Sequence, residues 1–204
     1  MIKNIVFDLG NVLLEGSSKD VLNNIEINDD EYNELVKFFD YDERLDTGEL
    51  LIEDYYNSVK IPKHLKEKYR DYLVNYYEYR KINFDLVRLL NELDKNGYRV
   101  YVISDNNISA SKYYQKNLLF KSIKGWVFSC DYGSLKKDGK LFNMFLEKYN
   151  LFADECYFID DNKTNIKVAD KLGFKTFLYN HNYIDLIRDL SNYIDIEKMY
   201  VWKS

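Results

Sequence analysis

Ile2-Lys3-Asn4-Ile5-Val6-Phe7-Asp8-Leu9-Gly10-Asn11-Val12-Leu13 is the stretch on which the fold turns. Ile2–Phe7 is short, β-branched and aromatic, which suits a buried strand, and it runs straight into an acid. Asp8–Gly16 then reads as a loop. The same arrangement recurs after Ile82, where strands are expected over Tyr98–Ile103, Gly125–Ser129, Cys156–Ile159 and Lys175–Tyr179. Helical spacing lies between them. Asp85 is expected to cap a helix with Leu86, Leu89, Leu90 and Leu93 on one face, stopped by Gly97. Further helices are expected over Ile108–Asn117, Leu141–Tyr149 and Asn165–Leu172. Strands and helices in alternation imply an α/β protein: a parallel sheet with helices on both faces.

One block breaks the rhythm. From Ser17 to Tyr79 the spacing is helical and rich in charge, with no strong strand signal. Helices are expected over Glu31–Phe39, Leu50–Val59 and, after Pro62, His64–Tyr79. The block falls between the first two strands, so residues 17–79 read as an inserted helical domain, and residues 1–16 with 80–204 as the core. Tyr69, Tyr72, Tyr76, Tyr77 and Tyr79 crowd the last of these helices, and aromatic packing between small helices explains them most simply.

Composition excludes several classes. The chain has 204 residues, 46% hydrophobic and 31% charged, enough to bury a core and too apolar for disorder. Eight Gly and one Pro leave no room for linkers or collagen-like repeats. A net charge of −5 argues against a nucleic-acid binder, which needs clustered positive charge. Two histidines, His64 and His181, are too few for a histidine metal cage, so chemistry must lean on carboxylates, lysines and hydroxyls. Cys130 and Cys156 form no CxxC pair and are expected to be buried thiols. No apolar run approaches the roughly 20 residues of a membrane span, and the start has no signal-peptide pattern. The expectation is a cytoplasmic protein that binds no membrane.

In an open parallel sheet the ligand sits beyond the carboxyl ends of the strands. That rim gathers Asp8; then Ser104, Asp105 and Asn106; then Lys136; then Asp160 and Asp161. Each has a bland alternative. Asp160 and Asp161 suit a helix N-terminus, Lys136 beside Lys137 suits a solvated basic pair, and Ser104 suits a cap. An EF-hand starting at Asp160 fails, because Asn165 stands at the glycine position and Lys171 at the closing glutamate. No G-x-S-x-G is present for a serine hydrolase.

Taken together, four segments in this order, each after its strand, resemble the haloacid dehalogenase superfamily of phosphotransferases. The resemblance covers nearly the whole chain and implies a Rossmann-like core with an inserted helical cap of the C1 type. Phe7-Asp8-Leu9-Gly10-Asn11-Val12 and Ser129-x-Asp131-x-Gly133 resemble a bacterial branch that includes sugar-1-phosphate phosphatases. One departure is Lys137, where the family usually has Pro. The resemblance implies that Asp8 is a nucleophile forming an aspartyl-phosphate, and that Mg²⁺ is held by Asp8, the Gly10 carbonyl and Asp161. Asp160 is then a further ligand or a supporting acid. It also implies that Lys136 pairs with Asp8 and the phosphate, that Ser104 hydrogen-bonds a phosphoryl oxygen, and that Asp105 and Asn106 lie beside the substrate. The implied activity is Mg²⁺-dependent hydrolysis of a small phosphorylated metabolite, with a sugar 1-phosphate as one candidate. A phosphate-binding or phosphoaspartate regulator and a haloacid dehalogenase are the alternatives.

Most phosphatases of the superfamily carry a second acid two residues after the nucleophile, where this chain has Gly10. Such acid–base help is typically worth about 10²–10⁴-fold in rate. Its absence predicts a slow enzyme or a preference for good leaving groups, unless water or an acid from the insertion substitutes, with Glu43, Asp46 and Glu49 as examples.

Overall fold

The computed structural model describes residues 1–40, 42–196 and 199. The end of the expected core segment (197, 198 and 200–204) and Tyr41 of the expected insertion lie outside the described residues. Five strands, β1 (Asn4–Phe7), β2 (Arg99–Ser104), β3 (Ile123–Phe128), β4 (Cys156–Asp160) and β5 (Lys175–Leu178), form one parallel sheet in the order β3-β2-β1-β4-β5. The central strand is therefore the one that runs into Asp8. Phe7 lies opposite Val102 on one side and Ile159 on the other. The Asp8 N–H continues the ladder to the Ile159 carbonyl at 2.9 Å, which fixes the backbone where the acid emerges.

Between β1 and β2 the chain forms α1 (Asp29–Leu35), α2 (Glu43–Asp46), α3 (Ile52–Ser58), α4 (Lys63–Lys68) and α5 (Arg70–Val74), with 3₁₀ turns at Ser18–Asn24, Val36–Phe39 and Tyr76–Glu78. The expected single helix over His64–Tyr79 is thus three pieces, broken where Tyr69 and Asn75 leave helical geometry at ψ 18° and 25°. The breaks bring Leu65, Tyr69, Leu73, Tyr76 and Tyr77 all into the interior, more than one helix stripe can bury. The tyrosines pack as expected: Phe38 against Tyr55, Phe39 against Tyr76, and Tyr76 against Tyr77, with centroids 5.2–5.8 Å apart. The chain leaves and re-enters the sheet region side by side, through a Leu14–Ile82 bridge and a Glu15 N–H to Lys81 carbonyl bond of 2.9 Å.

The remaining helices are α6 (Phe84–Lys95), α7 (Ile108–Lys116), α8 (Ser129–Tyr132), α9 (Lys140–Tyr149), α10 (Lys163–Lys171) and α11 (Tyr183–Leu190). Strand side chains alternate between two cores. Ile5, Phe7, Val100, Val102 and Ile159 meet Leu86, Leu89, Leu90 and Leu93 of α6 and Leu186, Ile187 and Leu190 of α11. Val6, Tyr101, Ile103 and Phe158 meet Leu141, Phe142 and Phe145 of α9 and Ala169 of α10. Each such buried side chain contributes about 1.5–3 kcal/mol. At Gly125 any side chain would collide with the ring of Tyr149, whose hydroxyl donates to the Trp126 carbonyl at 3.1 Å.

Three local expectations need correction. The cap of α6 is Asn83, whose side chain accepts from the Leu86 N–H at 3.3 Å, and Asp85 sits inside the first turn. The reason is the Leu14–Ile82 bridge, which holds the chain extended until Asn83. β3 begins earlier, at Ile123, and Ser129 starts α8 rather than ending the strand. Cys156 is buried, but Cys130 is partly exposed because it lies on the short α8 at the sheet's rim. No helix among the described residues is long and apolar enough to cross a membrane.

Candidate active site

Asp8 follows β1, Ser104 closes β2, Asp160 closes β4, and Lys136 enters from the turn beyond α8. All four polar side chains are buried, at 6%, 1%, 0% and 2% exposure. An isolated buried charge is costly, so each must be paired or hydrogen-bonded. Lys136 Nζ lies 2.6 Å from Asp160 Oδ2 and 2.7 Å from Asp8 Oδ1. This excludes the solvated lysine pair: Lys136 is interior, while Lys137 points outward to Glu43.

Asp160 is fully satisfied. Its Oδ1 accepts the Asn162 N–H at 2.7 Å, and its Oδ2 accepts from Lys136 and from Asn165 Nδ2 at 3.1 Å. Helix capping of α10 falls instead to Asn162, which accepts from the Thr164 N–H at 2.8 Å. Asp8 is less complete. Its Oδ1 touches Lys136 Nζ without the alignment of a hydrogen bond, and so remains a buried oxygen with no hydrogen-bond donor. Asp161 is partly exposed, and its Oδ2 accepts from Asn11 Nδ2 at 2.9 Å.

Asp8, Asp160 and Asp161 offer carboxylate oxygens within 4.8 Å of one another. Two of these carboxylates, Asp8 and Asp160, share the Lys136 ammonium. Hard oxygen donors with excess negative charge fit a small divalent cation such as Mg²⁺, and the incomplete shell of Asp8 Oδ1 fits it too. Burial pushes the Asp8 carboxyl up to about 7, with Asp160 adding to the rise and Lys136 opposing it. Burial alone would neutralise Lys136, yet Asp160, Asp8 and Asp105 outweigh it and hold the amine firmly protonated.

On the other flank, Asn106 Nδ2 donates to Ser104 Oγ at 3.1 Å, and the Asn106 N–H donates to Ser129 Oγ at 3.0 Å. Asp105 Oδ1 accepts the Lys136 N–H at 3.0 Å, tying two rim loops together. Burial raises the Asp105 carboxyl above its ordinary value. The cap of α7 is Asn107, not Ser104; it accepts from the Ser109 and Ala110 N–H groups and donates to Tyr76 Oη at 2.9 Å.

These groups open on a pocket of about 500 Å³ that includes every expected site residue except the fully enclosed Asp160. Gly10 lies on its wall. So do Ser18, Asp46, Tyr76 and Arg80, contributed by the helical block and its return to the core. Asn11, Asn165, Tyr76 and Arg80 were not singled out in the sequence as site residues. Asn11 stands in the opening motif as the amide directly after Gly10; its backbone is left-handed at φ 54°, which asparagine tolerates.

A haloacid dehalogenase-like hydrolase family model matches residues 2–173. No curated protein sequence matches significantly. Among solved structures, an HAD-family enzyme from Bacteroides thetaiotaomicron in complex with magnesium and inorganic phosphate is similar, at 21% identity and TM-score 0.65, with 92% of this chain and 100% of that one covered. A predicted HAD-like hydrolase from Porphyromonas gingivalis is 22% identical over 95% of this chain and 100% of its own, with TM-score 0.66. The L-2-haloacid dehalogenase from Xanthobacter autotrophicus is 14% identical over 95% of this chain and 84% of its own, also with TM-score 0.66. At such identities the likeness is one of fold.

Proposed function

Since the chain belongs to the haloacid dehalogenase-like hydrolases, we propose that it is a Mg²⁺-dependent phosphatase acting on a small phosphorylated metabolite through an aspartyl-phosphate at Asp8. The observation that carries this reading is the buried cluster of Asp8, Lys136, Asp160 and Asp161 at the floor of a polar pocket. A carboxylate attacking a phosphate dianion meets repulsion, so positive charge must already be in place. The magnesium and phosphate bound by the Bacteroides enzyme support the same assignment here.

Lys136 fixes Asp8 for attack from the end of β1 and offers charge to the phosphoryl oxygens. Asp160 holds Lys136 from behind, a positioning role suited to a carboxylate whose oxygens are all occupied. Ser104, oriented by Asn106, donates to a second phosphoryl oxygen, and Asp105 braces the loop that carries Lys136. Asp8 and Asp161, with the Gly10 carbonyl, would hold Mg²⁺, which when bound neutralises the phosphate and lowers the barrier to attack. Asp8 Oδ then bonds to phosphorus as the leaving oxygen departs, and water later cleaves the acyl phosphate.

Residues 17–79 serve in this reading as a C1-type cap that closes over the pocket and excludes water, in a cytoplasmic enzyme of subfamily I. With Gly10 in place of an acid, leaving groups that need little protonation are favoured, among them sugar 1-phosphates. The test is p-nitrophenyl phosphate with Mg²⁺: release of p-nitrophenol that disappears in Asp8→Asn is expected. Stoichiometric labelling by acetyl phosphate without turnover would favour a regulator, the alternative that the missing carboxyl at Gly10 suggests. Chloride release from 2-chloropropionate in EDTA would favour a dehalogenase.

A further inference from the structure

We propose that Asp46 is the catalytic acid that protonates the leaving oxygen, an assignment that rests on the phosphatase reading above. Expelling an ordinary alcohol from phosphorus leaves an alkoxide unless a proton reaches the bridging oxygen as its bond breaks. Gly10 supplies none, so for a poor leaving group the proton comes from water or from another pocket group.

Four carboxyl side chains line the pocket: Asp8, Asp46, Asp105 and Asp161. Asp8 is the nucleophile, and Asp161 belongs to the acid cluster beside it, held by Asn11. Asp105 follows β2 on the same rim as Asp8 and accepts the Lys136 N–H. In-line displacement expels the leaving oxygen from the face of phosphorus away from the attacking carboxylate. In this proposal the leaving oxygen therefore faces the wall made by Ser18, Asp46, Tyr76 and Arg80, which the residues between β1 and β2 contribute and whose one carboxyl is Asp46.

The turn that carries Asp46 is seated on the core. Glu43 of α2 pairs with Lys137. Gly48, at φ 77°, lies so close to the rim that a Cβ there would sit 2.7 Å from the Cys130 carbonyl oxygen. The other acids of this turn, Asp42, Glu43 and Glu49, do not line the pocket. The Asp46 carboxyl passes its proton to the bridging oxygen as the oxygen–phosphorus bond breaks and the Asp8–phosphorus bond forms. The Asp46 carboxylate then takes a proton from the water whose oxygen attacks phosphorus, and the Asp8–phosphorus bond breaks to release inorganic phosphate.

The test compares kcat/KM for p-nitrophenyl phosphate and phenyl phosphate, with saturating Mg²⁺, in the wild type, Asp46→Asn and Asp105→Asn. This parameter ends at phosphoryl transfer to Asp8 and ignores later hydrolysis of the acyl phosphate. Asp46→Asn is expected to lose about 10²–10³-fold on phenyl phosphate and under about fivefold on p-nitrophenyl phosphate, whose leaving group needs no proton. The retained p-nitrophenyl phosphate activity also shows that the variant is folded. Equal losses on both substrates, no loss on either, or the leaving-group-dependent loss appearing in Asp105→Asn instead would overturn the assignment. Failure of the phosphatase reading looks different: the wild type would cleave neither substrate, or Asp8→Asn would retain its activity.

Discussion

Asn11 donates its side-chain amide to Asp161 Oδ2 at 2.9 Å, from a backbone held at φ 54°. The bond joins the loop after β1 to the loop after β4 and leaves the other carboxylate oxygen of Asp161 free of that donor. Groups that orient a ligating carboxylate typically matter by about 10–100-fold in metal affinity. Asn11→Gly keeps the left-handed backbone and removes only the amide. Titration calorimetry should show Mg²⁺ bound about 10-fold or more weakly, with the thermal midpoint in EDTA little changed.

Lys136 neutralises two buried acids at once. Lys136→Met keeps the bulk and strands both carboxylates, and breaking a buried pair in this way costs about 3–5 kcal/mol. Urea denaturation should show that loss. Adding Asp160→Asn to the same chain should recover a good part of it, because one of the stranded charges is then gone.

Asp20 gives the protein a pH dependence away from the pocket. Partial burial alone would raise its carboxyl, but the Ser17 N–H, the Ser17 hydroxyl and then Arg80 outweigh it and hold it below its ordinary value. A lowered folded value means that Asp20 stabilises the fold above its unfolded value and that this help fades as pH falls through the folded value. Asp20→Asn should therefore cost roughly 1 kcal/mol at pH 7, the usual worth of such a cap. Chemical denaturation near pH 3 should show a smaller gap between variant and wild type.

Gly10 is not required by space. A Cβ there meets nothing within 4 Å, and its φ is not left-handed. Gly10→Asp should hold its thermal midpoint in Mg²⁺ to within about 1 kcal/mol, roughly 2–4 °C for a chain of this size. Placed in the Asp46→Asn background, it should raise phenyl phosphate hydrolysis at least about 10-fold, as a carboxyl regained near the leaving group.

The strands could be read from the sequence because Ile5-Val6-Phe7 and its counterparts are short β-branched and aromatic runs that end in polar residues. The rim rule then brought Asp8, Ser104, Lys136, Asp160 and Asp161 together without coordinates. The helical block was legible as helical but not in its breaks. Those at Tyr69 and Asn75 follow from which rings must reach the interior, a property of the packed aromatic cluster. The amides were invisible for a related reason. Asn11 and Asn165 have the composition of ordinary loop and cap residues, and their work lies in bonds to acids far along the chain or around a helix turn. Asp46 stood beside Glu43 and Glu49 as an equal until the seating of α2 separated them.

The central place of β1 also governs when activity can arise. This strand is synthesised ahead of the others, yet its partners are residues 99–102 and 156–159. At typical synthesis rates, roughly 10–30 s separate its emergence from that of β4. Through that interval Ile5, Val6 and Phe7 lack the strand neighbours that will enclose them. Asp8 meets neither Lys136 nor Asp160 until more than 120 further residues are made. On the reading proposed above, a chain interrupted before Asp160 should lack the acid and lysine cluster and show no hydrolysis.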